Sequence, residues 1–481
     1  MSDLRPLTRF ERFLSWFTTV QPGEGRCVAL LFSQAFTLMV AYYLIRPVRE
    51  ALILTEGNAE LRSYAVGAQA LLLIVLIPIY GVLVRHVDTS RVFQRINAFF
   101  ALNLVVLFFL GQAGFRLGFA FFIWASIFGV MTVTQFWAFA TDLFNVKSGQ
   151  RLLGVIAVGV SGGAWIGARL ASSAFELLGP YWLMLASAAV LTVTIHLSER
   201  ARSSLPAASR SAPATDGETA GVQDGTARWL GGFAVIGRSR YLIGIAALVV
   251  LLNWITSTGE FILADWLAQT ARSEAPDAPA VFIGRFMGNY CASIALLGFL
   301  IQLLLVSRII VMAGLARALL VTPVAFLVGY LVIGIVPAFA LLQSVLVVQR
   351  SLDYSLLNTS RSALLLPASR EAKYQAKTAI DTFFYRLGDL LSTLTVFVGL
   401  RCFDDPRTQF VWLIVVLSAT MTLAAWLIGR EYARKFGSAS DTSTPRLAGG
   451  GRSVVVLQQL VTPLKQRIDL ARAQIRAQSL Q

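Results

Sequence analysis

The sequence has few charged residues and very few of the residues that build metal or redox sites. Only 14% of its 481 residues are charged, and it contains three cysteines (Cys27, Cys291 and Cys402) and two histidines (His86 and His196). The cysteines lie far apart and lack metal-ligand spacing, so they imply neither a disulfide framework nor a zinc site. The sequence also lacks a Walker-type G-x-x-x-x-G-K-[ST] segment, which argues against ATP-powered chemistry. We therefore expect no metal, no cofactor and no enzymatic activity.

Apolar residues are what the sequence has in abundance. They make up 56% of the chain, and the mean hydropathy is +0.67. Apolar stretches of about 20 residues recur along the whole length, and each is long enough to cross a bilayer core of about 30 Å. Because backbone groups in lipid must pair internally, these stretches are predicted to be helices. The predicted fold class is an all-α polytopic membrane protein with twelve transmembrane helices in two six-helix bundles.

The twelve predicted spans lie on either side of a polar central segment. They cover residues 27–48, 62–84, 97–112, 117–141, 152–177, 180–198, 241–263, 282–306, 317–335, 337–362, 377–400 and 409–428.

Positive charge is concentrated in alternate connections between these spans. Arg85, Arg91 and Arg95 follow the second span, whereas the connection "GIVPAF" after the ninth has no Lys or Arg. The positive-inside rule then places both termini in the cytoplasm. This distribution also accounts for the net charge of +15, so nucleic acid is not an expected partner.

The predicted domain boundaries follow the composition of the chain. Residues 1–198 form an N-terminal six-helix bundle and 241–428 a C-terminal one, joined by a Ser-, Ala-, Pro- and Gly-rich linker at 199–240. Residues 429–481 form a basic cytoplasmic tail, which is either an amphipathic surface helix or a solvated segment. Two six-helix halves with a central linker are the layout of the major facilitator superfamily, in which substrate binds between the halves.

The eleventh span is two-faced. At 100° per residue, Asp381, Arg386 and Asp389 share one side, while apolar residues such as Phe383 and Leu387 lie on the other. A polar stripe of this kind must face other helices or a water-filled cavity. Arg386 and Asp389 could alternatively neutralise each other as an i,i+3 pair.

Further ionisable groups lie in the first, fifth and tenth spans. Arg46, Arg49 and Glu50 share one face near Pro47, which is predicted to break or bend the helix; the alternative is a snorkelling cluster at the interface. Arg169 lies deep in the fifth span beside a glycine stripe, Gly159, Gly163 and Gly167, that predicts close helix packing. Arg350 lies near mid-depth of the tenth. Glu260, Asp265 and Arg285 are weaker candidates.

Arginine grips carboxylate or phosphate groups with paired donors. The predicted substrate-binding residues are therefore Arg46, Arg49, Arg169, Arg350 and Arg386, and the predicted coupling or gating residues are Glu50, Asp88, Arg91, Asp381 and Asp389.

Three stretches resemble the bacterial and plastid-type ATP/ADP translocase family. They are "YYLIRPVREALILTEG", "FWAFATDLFNVKSGQRLLGVIAVGVSGGAWIGARL" and "LLNTSRSALLLPASREAKYQAKTAIDTFFYRLGDLL". The resemblance implies a major-facilitator-like fold, nucleotide exchange and a bacterial inner-membrane location.

Charged positions of that family are altered here. Where translocases carry membrane lysines, this chain has Arg49 and Asp389, and where a glutamate follows Trp-Ala it has Ser126. In the tenth span the acidic-x-x-Lys-Glu pattern becomes Asn358, Arg361 and Ser362. The superfamily signature between the second and third spans departs as well, although Asp88 and Arg91 could still pair as a latch.

The sequence thus predicts a secondary transporter of an anionic, phosphate-bearing metabolite, working by alternating access as a monomer in a lipid bilayer. Two alternatives stay open. One is a proton-coupled transporter or exporter of an unrelated drug or lipid, which a wide apolar cavity open to lipid would favour. The other is a non-transporting sensor or assembly protein, which a central cavity blocked by Arg–Asp pairs would favour.

Overall fold

The computed structural model describes residues 8, 11, 12, 15 and 18 and residues 20–83, 89–144, 146–204, 232–365 and 370–442. Its helices, in chain order, are α1 (Glu24–Glu56), α2 (Ala59–Leu83), α3 (Thr89–Gln112), α4 (Gly118–Leu143), α5 (Val146–Ser204), α6 (Arg240–Glu274), α7 (Pro279–Leu304), α8 (Val306–Ala313), α9 (Leu315–Ile335), α10 (Phe339–Leu352), α11 (Asn358–Leu364), α12 (Arg370–Ala379), α13 (Tyr385–Cys402) and α14 (Pro406–Thr442). Two π-helical turns, Asp353–Leu357 and Ile380–Phe384, connect α10 to α11 and α12 to α13.

Helix length and hydropathy account for the predicted spans. Ten of the described helices are long and apolar enough to cross a membrane. One of them, α5, crosses twice, because Gly179 leaves the helical conformation at φ 69° and ψ −179° just before Pro180. A positive φ is accessible to glycine without a side-chain clash. The continuous run of α10, the first π turn and α11 is long enough for a further crossing, so the described helices agree with about twelve spans.

Of the two effects predicted for Pro47, a break or a bend, the break is wrong. Helix α1 continues through this proline to Glu56, well past the predicted end at residue 48. A proline inside a helix removes one backbone hydrogen bond and crowds the preceding turn. Here Pro47 is buried among neighbouring helices, and packing on the surrounding faces holds the helix together. Arg49 and Glu50 consequently lie within a helix and not in a loop.

The connections between helices define two opposite faces of the helical assembly. The far face holds the short connections 57–58, 113–117, 275–278, 336–338 and 403–405, and the terminal face is the one at which α1 begins. Helices α1–α5 form the N-terminal half and α6–α14 the C-terminal half. The halves pack on each other through α5 and α1 against α7 and through α2 against α13 and α6.

The glycine stripe of α5 confirms the predicted close packing. A Cβ atom at Gly163 would lie 2.3 Å from the carbonyl oxygen of Phe36, and one at Gly167 would lie 2.8 Å from Cα of Val40. Both contacts are backbone atoms of α1. Small residues therefore let α5 fix the position of the helix that carries Arg46, Arg49 and Glu50.

Several predictions concern residues outside those described. Asp88 is one of them, so its pairing with Arg91 stays a prediction; Arg91 itself is exposed at the start of α3. Most of the predicted linker at 199–240 and of the tail at 429–481 also lies outside the described residues. In the described parts, α5 continues to Ser204 and α14 to Thr442.

Candidate functional site

Five side chains form a continuous chain of ion pairs near the far face. Arg49 Nη2 lies 2.6 Å from Glu50 Oε1, and Arg62 Nε lies 2.5 Å from Glu50 Oε2. Arg62 Nη2 lies 3.3 Å from Glu260 Oε2, and Arg350 Nη2 lies 2.5 Å from Glu260 Oε1. We call Arg49, Glu50, Arg62, Glu260 and Arg350 the ion-pair chain. Its two carboxylates each accept from two arginines.

Local structure explains why the first three members meet. Helices α1 and α2 are antiparallel and joined by only residues 57–58, so the last turns of one face the first turns of the other. Glu50 and Arg62 are therefore opposite each other across this hairpin. Arg49 is held from another side, since its Nη1 donates to Ser126 Oγ at 3.0 Å and its guanidinium lies 4.3 Å from the centre of the Phe122 ring.

Most of the ion-pair chain is withdrawn from solvent. The side chains of Glu50, Arg62 and Arg350 are 2%, 5% and 9% exposed. Burying an ion is costly unless its partners supply both charge and hydrogen bonds. The alternation of base and acid meets that requirement, so removal of one member leaves its neighbours with an uncompensated charge.

The ion-pair chain also crosses between the halves. Glu50 and Arg62 belong to the N-terminal half, whereas Glu260 and Arg350 belong to the C-terminal half. The Arg62–Glu260 pair is thus a direct bond between them. The Arg285–Glu176 pair across the same boundary is more than half exposed on both sides, and exposed pairs contribute little in water.

Arg46 differs from the other arginines of this region. It lies one turn from Glu50 on α1, yet no acidic side chain of the described residues is within ion-pair distance of it. Its contacts are a hydrogen bond from Nη1 to Tyr43 Oη at 3.3 Å and the Tyr43 ring at 5.4 Å. At 1.5 Å per residue, Arg46 lies about 15 Å from the far end of α1, near the middle of a bilayer core.

A group of tyrosines surrounds Arg46 and Arg350. Tyr43 and Tyr354 are electrostatic neighbours of Arg46, and Tyr354 lies against Arg350, whose Cζ is 5.8 Å from its ring centre. Tyr354 is 45% exposed although its charged neighbours are interior residues. We take the group formed by Arg46, Arg350 and these tyrosines as the candidate substrate site.

Two further pairs lie closer to the terminal face. The predicted i,i+3 pair is present, with Arg386 Nη1 3.3 Å from Asp389 Oδ2. Ser257 also donates to Asp389 Oδ1 at 2.6 Å. Arg361 Nη2 lies 3.2 Å from Asp381 Oδ1, so these two side chains also form an ion pair. This second pair lies beside the two π turns, a helix irregularity that recurs at functional sites.

The predicted site residues are thus divided among several places. Arg46, Arg49, Glu50 and Arg350 converge near the boundary between the halves, whereas Arg386 and Asp389 form their own pair. Arg169 is exposed and donates to Asn289 Oδ1 at 2.5 Å, so it lies across the same boundary but in none of the ion pairs of the described residues.

Sequence reasoning missed Arg62 and undervalued Glu260. Arg62 is the first residue of the predicted second span. An arginine at the end of a span is usually interpreted as one whose charged head group extends toward water. The short "GN" connection was the available signal, since it forces Glu50 and Arg62 to face each other. Glu260 lies 198 residues from Arg62 in the sequence, and local spacing gives no indication that they meet.

Comparison with known proteins identifies the fold. No protein-family model and no curated protein matches the sequence. A solved structure of a bacterial homologue of the human lysosomal transporter Spinster, in an inward-facing and unoccupied conformation, matches with a TM-score of 0.58 at 13% identity, over 86% of this chain and 99% of that one. A mutant of the nucleoside transporter NupG matches with a TM-score of 0.64 at 12% identity, over 84% and 99%. The fold is of the major facilitator type.

The predicted fold class is therefore confirmed. The resemblance to ATP/ADP translocases stays a prediction, because these identities are low enough to carry the fold alone.

Proposed function

We propose that this protein is a secondary transporter of a small anionic metabolite, of the phosphate-bearing class, working by alternating access in the bacterial inner membrane. The observation that carries the proposal is Arg46, which has no acidic side chain of the described residues within ion-pair distance and instead contacts the hydroxyl and ring of Tyr43. The major facilitator fold supports it, since transporters of this type bind substrate between their halves near the midplane.

An unpaired arginine at this depth has a physical consequence. A charge near the bilayer midplane is expensive and is kept only where it has a partner or a water-filled cavity. The neighbouring arginines already have partners in the ion-pair chain. Arg46 is therefore the group left to receive charge from a bound molecule, and its fork of donors suits an oxyanion.

The ion-pair chain supplies the alternating step in this proposal. The Arg62–Glu260 pair holds the far ends of the halves together. Opening to the far face requires this pair to break, and a bound anion shifts the balance of charge beside it. Asp381 and Asp389 then tune the arginines they contact or carry a coupling proton, as their pairing with Arg361 and Arg386 favours.

The substrate class that we propose is broader than ATP and ADP, for a structural reason. Ser126 occupies the position of a translocase glutamate and accepts a hydrogen bond from Arg49. Asp389 occupies a lysine position and pairs with Arg386. Both departures serve internal contacts, so the residues left to receive a substrate differ from those of a nucleotide exchanger.

Uptake into proteoliposomes tests the proposal. Purified protein is reconstituted and supplied with labelled nucleotides, inorganic phosphate and phosphorylated sugars, with Arg46→Gln and protein-free vesicles as controls. We expect saturable uptake of at least one anion and its loss in Arg46→Gln. Uptake of no anion, or equal uptake by Arg46→Gln, would overturn the proposal.

A lateral groove favours the alternative of a lipid or drug exporter. It has a volume of about 590 Å³ and lies between α6, α13 and α14, with Trp254, Leu394 and Trp412 in its wall. Leu394 and Trp412 are 56% and 44% exposed, as expected of residues facing lipid. The groove lies within the C-terminal half and not between the halves. Filling it by Leu394→Trp should leave anion uptake unchanged, whereas loss of uptake would favour the exporter.

A further inference from the structure

One carboxylate beside the ion-pair chain lacks the bonds that its neighbours have. Asp353 begins the first π turn, and its side chain is 12% exposed. Arg350 Nη1 lies 3.8 Å from Asp353 Oδ2, which is too far for a hydrogen bond, and none of the described residues donates one to this carboxylate. The other carboxylates of the region each have a donor within 3.3 Å, namely Glu50, Glu260, Asp381 and Asp389.

Arg350 lies between two acids and serves them unequally. Its Nε and Nη2 both donate to Glu260 Oε1, at 3.0 and 2.5 Å, and only Nη1 is left on the side of Asp353. Glu260 therefore takes the hydrogen bonds, while Asp353 shares only the charge. An interior carboxylate stays ionised where charge and hydrogen bonds both compensate it, and otherwise it takes up a proton. Asp353 can do so without losing a hydrogen bond.

The charged groups that face Asp353 come from several helices. Arg350 is on α10, Arg361 on α11 and Glu260 on α6, and the Tyr385 hydroxyl of α13 also interacts with it electrostatically. Helices α7 and α9 pack against the same π turn. Their buried titratable side chains are of types that are neutral near pH 7, namely Tyr290, Cys291 and Tyr330.

We propose that Asp353 is a proton-binding site and that its protonation makes the charge of Arg350 available to an anion. With Asp353 ionised, it and the two glutamates balance the three arginines of the ion-pair chain. A proton taken up from water by Asp353 leaves one positive charge uncompensated, on a residue of the candidate substrate site. Arg46 keeps its charge in both states, so one proton accompanies one negative charge of the substrate, and neither enters the membrane interior alone.

This inference rests on the proposed transport function and deepens it, because it names the coupling ion and the residue that binds it. Asp381 and Asp389, which have closer partners, then keep the role of tuning the arginines they contact.

Infrared difference spectroscopy of the purified full chain tests proton binding without transport. An aspartic acid in water ionises near pH 4, so acidification from about pH 8 to about pH 5 should produce a protonated carboxyl C=O band only from an unusual site. We expect this band in the wild type and its loss in Asp353→Asn. Asp389→Asn is the matched control and should keep the Asp353 band, since it removes a carboxylate that already has two donors.

Glu260→Gln tests whether the two acids share Arg350. It leaves Asp353 as the acid beside this arginine, so the band should require a more acid solution, by at least about one pH unit, which is tenfold weaker proton binding. Glu176→Gln removes an acid from an exposed pair and should leave the band in place. If Asp353→Asn does not fold, the wild-type band and its displacement in Glu260→Gln decide.

Proteoliposomes test the coupling, with whichever monovalent anion they take up. At one proton per negative charge, a gradient of about one pH unit, acid outside, should drive about tenfold accumulation by the wild type. Asp353→Asn should not accumulate the anion above its outside concentration.

The outcomes separate this inference from the transport proposal. Absence of the band from the wild type, its persistence in Asp353→Asn, or its indifference to Glu260→Gln overturns the assignment even if vesicles take up an anion. Accumulation that Asp353→Asn retains overturns it as well. A band that requires Asp353 and moves with Glu260→Gln supports the proton site even if vesicles transport nothing, in which case only the transport proposal fails.

Discussion

Arg62 Nη2 and Glu260 Oε2 lie 3.3 Å apart and join the two halves of the protein. Each of them is also bonded within its own half, Arg62 to Glu50 and Glu260 to Arg350. The contact between the halves is therefore one link in a series of pairs and is not isolated. A change at any position in the series alters the charge that the others experience.

Arg62→Gln should destabilise the protein and favour opening at the far face. It leaves Glu50 and Glu260 with one arginine each, and breaking a buried pair costs about 3–5 kcal/mol. We expect a lower unfolding temperature in detergent and faster maleimide labelling of a cysteine introduced at Gly57, beside the far-face connection.

Glu176→Gln is the matched control for Arg62→Gln. It removes a pair across the same boundary whose side chains are 61% and 65% exposed, where the expected loss is about 0–1 kcal/mol. Equal effects of the two substitutions would contradict the role assigned to the ion-pair chain.

Gly163→Ala should separate α1 from α5. The added Cβ would lie 2.3 Å from the carbonyl oxygen of Phe36, a backbone atom that cannot move aside alone. Overpacking of this kind costs about 1–3 kcal/mol, to be measured as a lower free energy of unfolding.

Gly154→Ala, on the same helix, is the control for this packing. Nothing lies within 4 Å of the added Cβ there, so it should be neutral or stabilising by about 0.5–1 kcal/mol through helix propensity. If both alanines behave alike, close approach is not what holds α1 against α5.

Asp389→Asn should be more harmful than the double change Arg386→Gln with Asp389→Asn. The single change leaves Arg386 12% exposed without its carboxylate, whereas the double change removes both charges. Thermal unfolding of the two single variants and the double variant gives a coupling energy, expected at about 0.5–3 kcal/mol. Additive effects would show that the pair contributes nothing as a pair.

Glu11 should make stability depend on acid pH near the terminal face. Burial opposes ionisation of this carboxylate, but hydrogen bonds from the amides of Thr8, Gly23 and Gly25 and from the Thr8 hydroxyl lower its pKa below 4.5. A carboxylate whose folded pKa is lowered stabilises the protein above its unfolded pKa, and this is lost as pH falls through the folded pKa.

Comparison of Glu11→Gln with the wild type isolates this effect. The difference in unfolding temperature should be full at pH 7, should shrink below about pH 4.5 and should vanish at still lower pH. A difference that stays constant across this range would contradict the assigned ionisation.

Local features of the candidate site could be predicted from the sequence. The Arg386–Asp389 pair follows from i,i+3 spacing on one helix, and the glycine stripe follows from a repeat of four. Arg46 and Arg49 are recognisable as charges inside an apolar segment. Arg49 pairs with its neighbour Glu50 on α1, whereas Arg46 has no acidic side chain of the described residues within ion-pair distance.

Where prediction failed, distant residues had decided the outcome. Pro47 reads as a break in isolation, but packing around α1 keeps the helix continuous. Arg169 does bond to a partner, but that partner is Asn289 of the other half, which no local spacing indicates. Arg62 was not predicted as a site residue and Glu260 was only a weaker candidate, because nothing near them in the chain reveals their partners.

The sequence by itself determined that this chain is a bundle of membrane-spanning helices, because hydropathy over about 20 residues is a local property that lipid enforces. It also determined that arginines lie inside the spans. Only the tertiary structure decided which arginine is left over. Pairing depends on the approach of side chains as far apart in the chain as Arg62 and Glu260. Once those pairs form, no acidic side chain in the described part of the chain is left within ion-pair distance of Arg46.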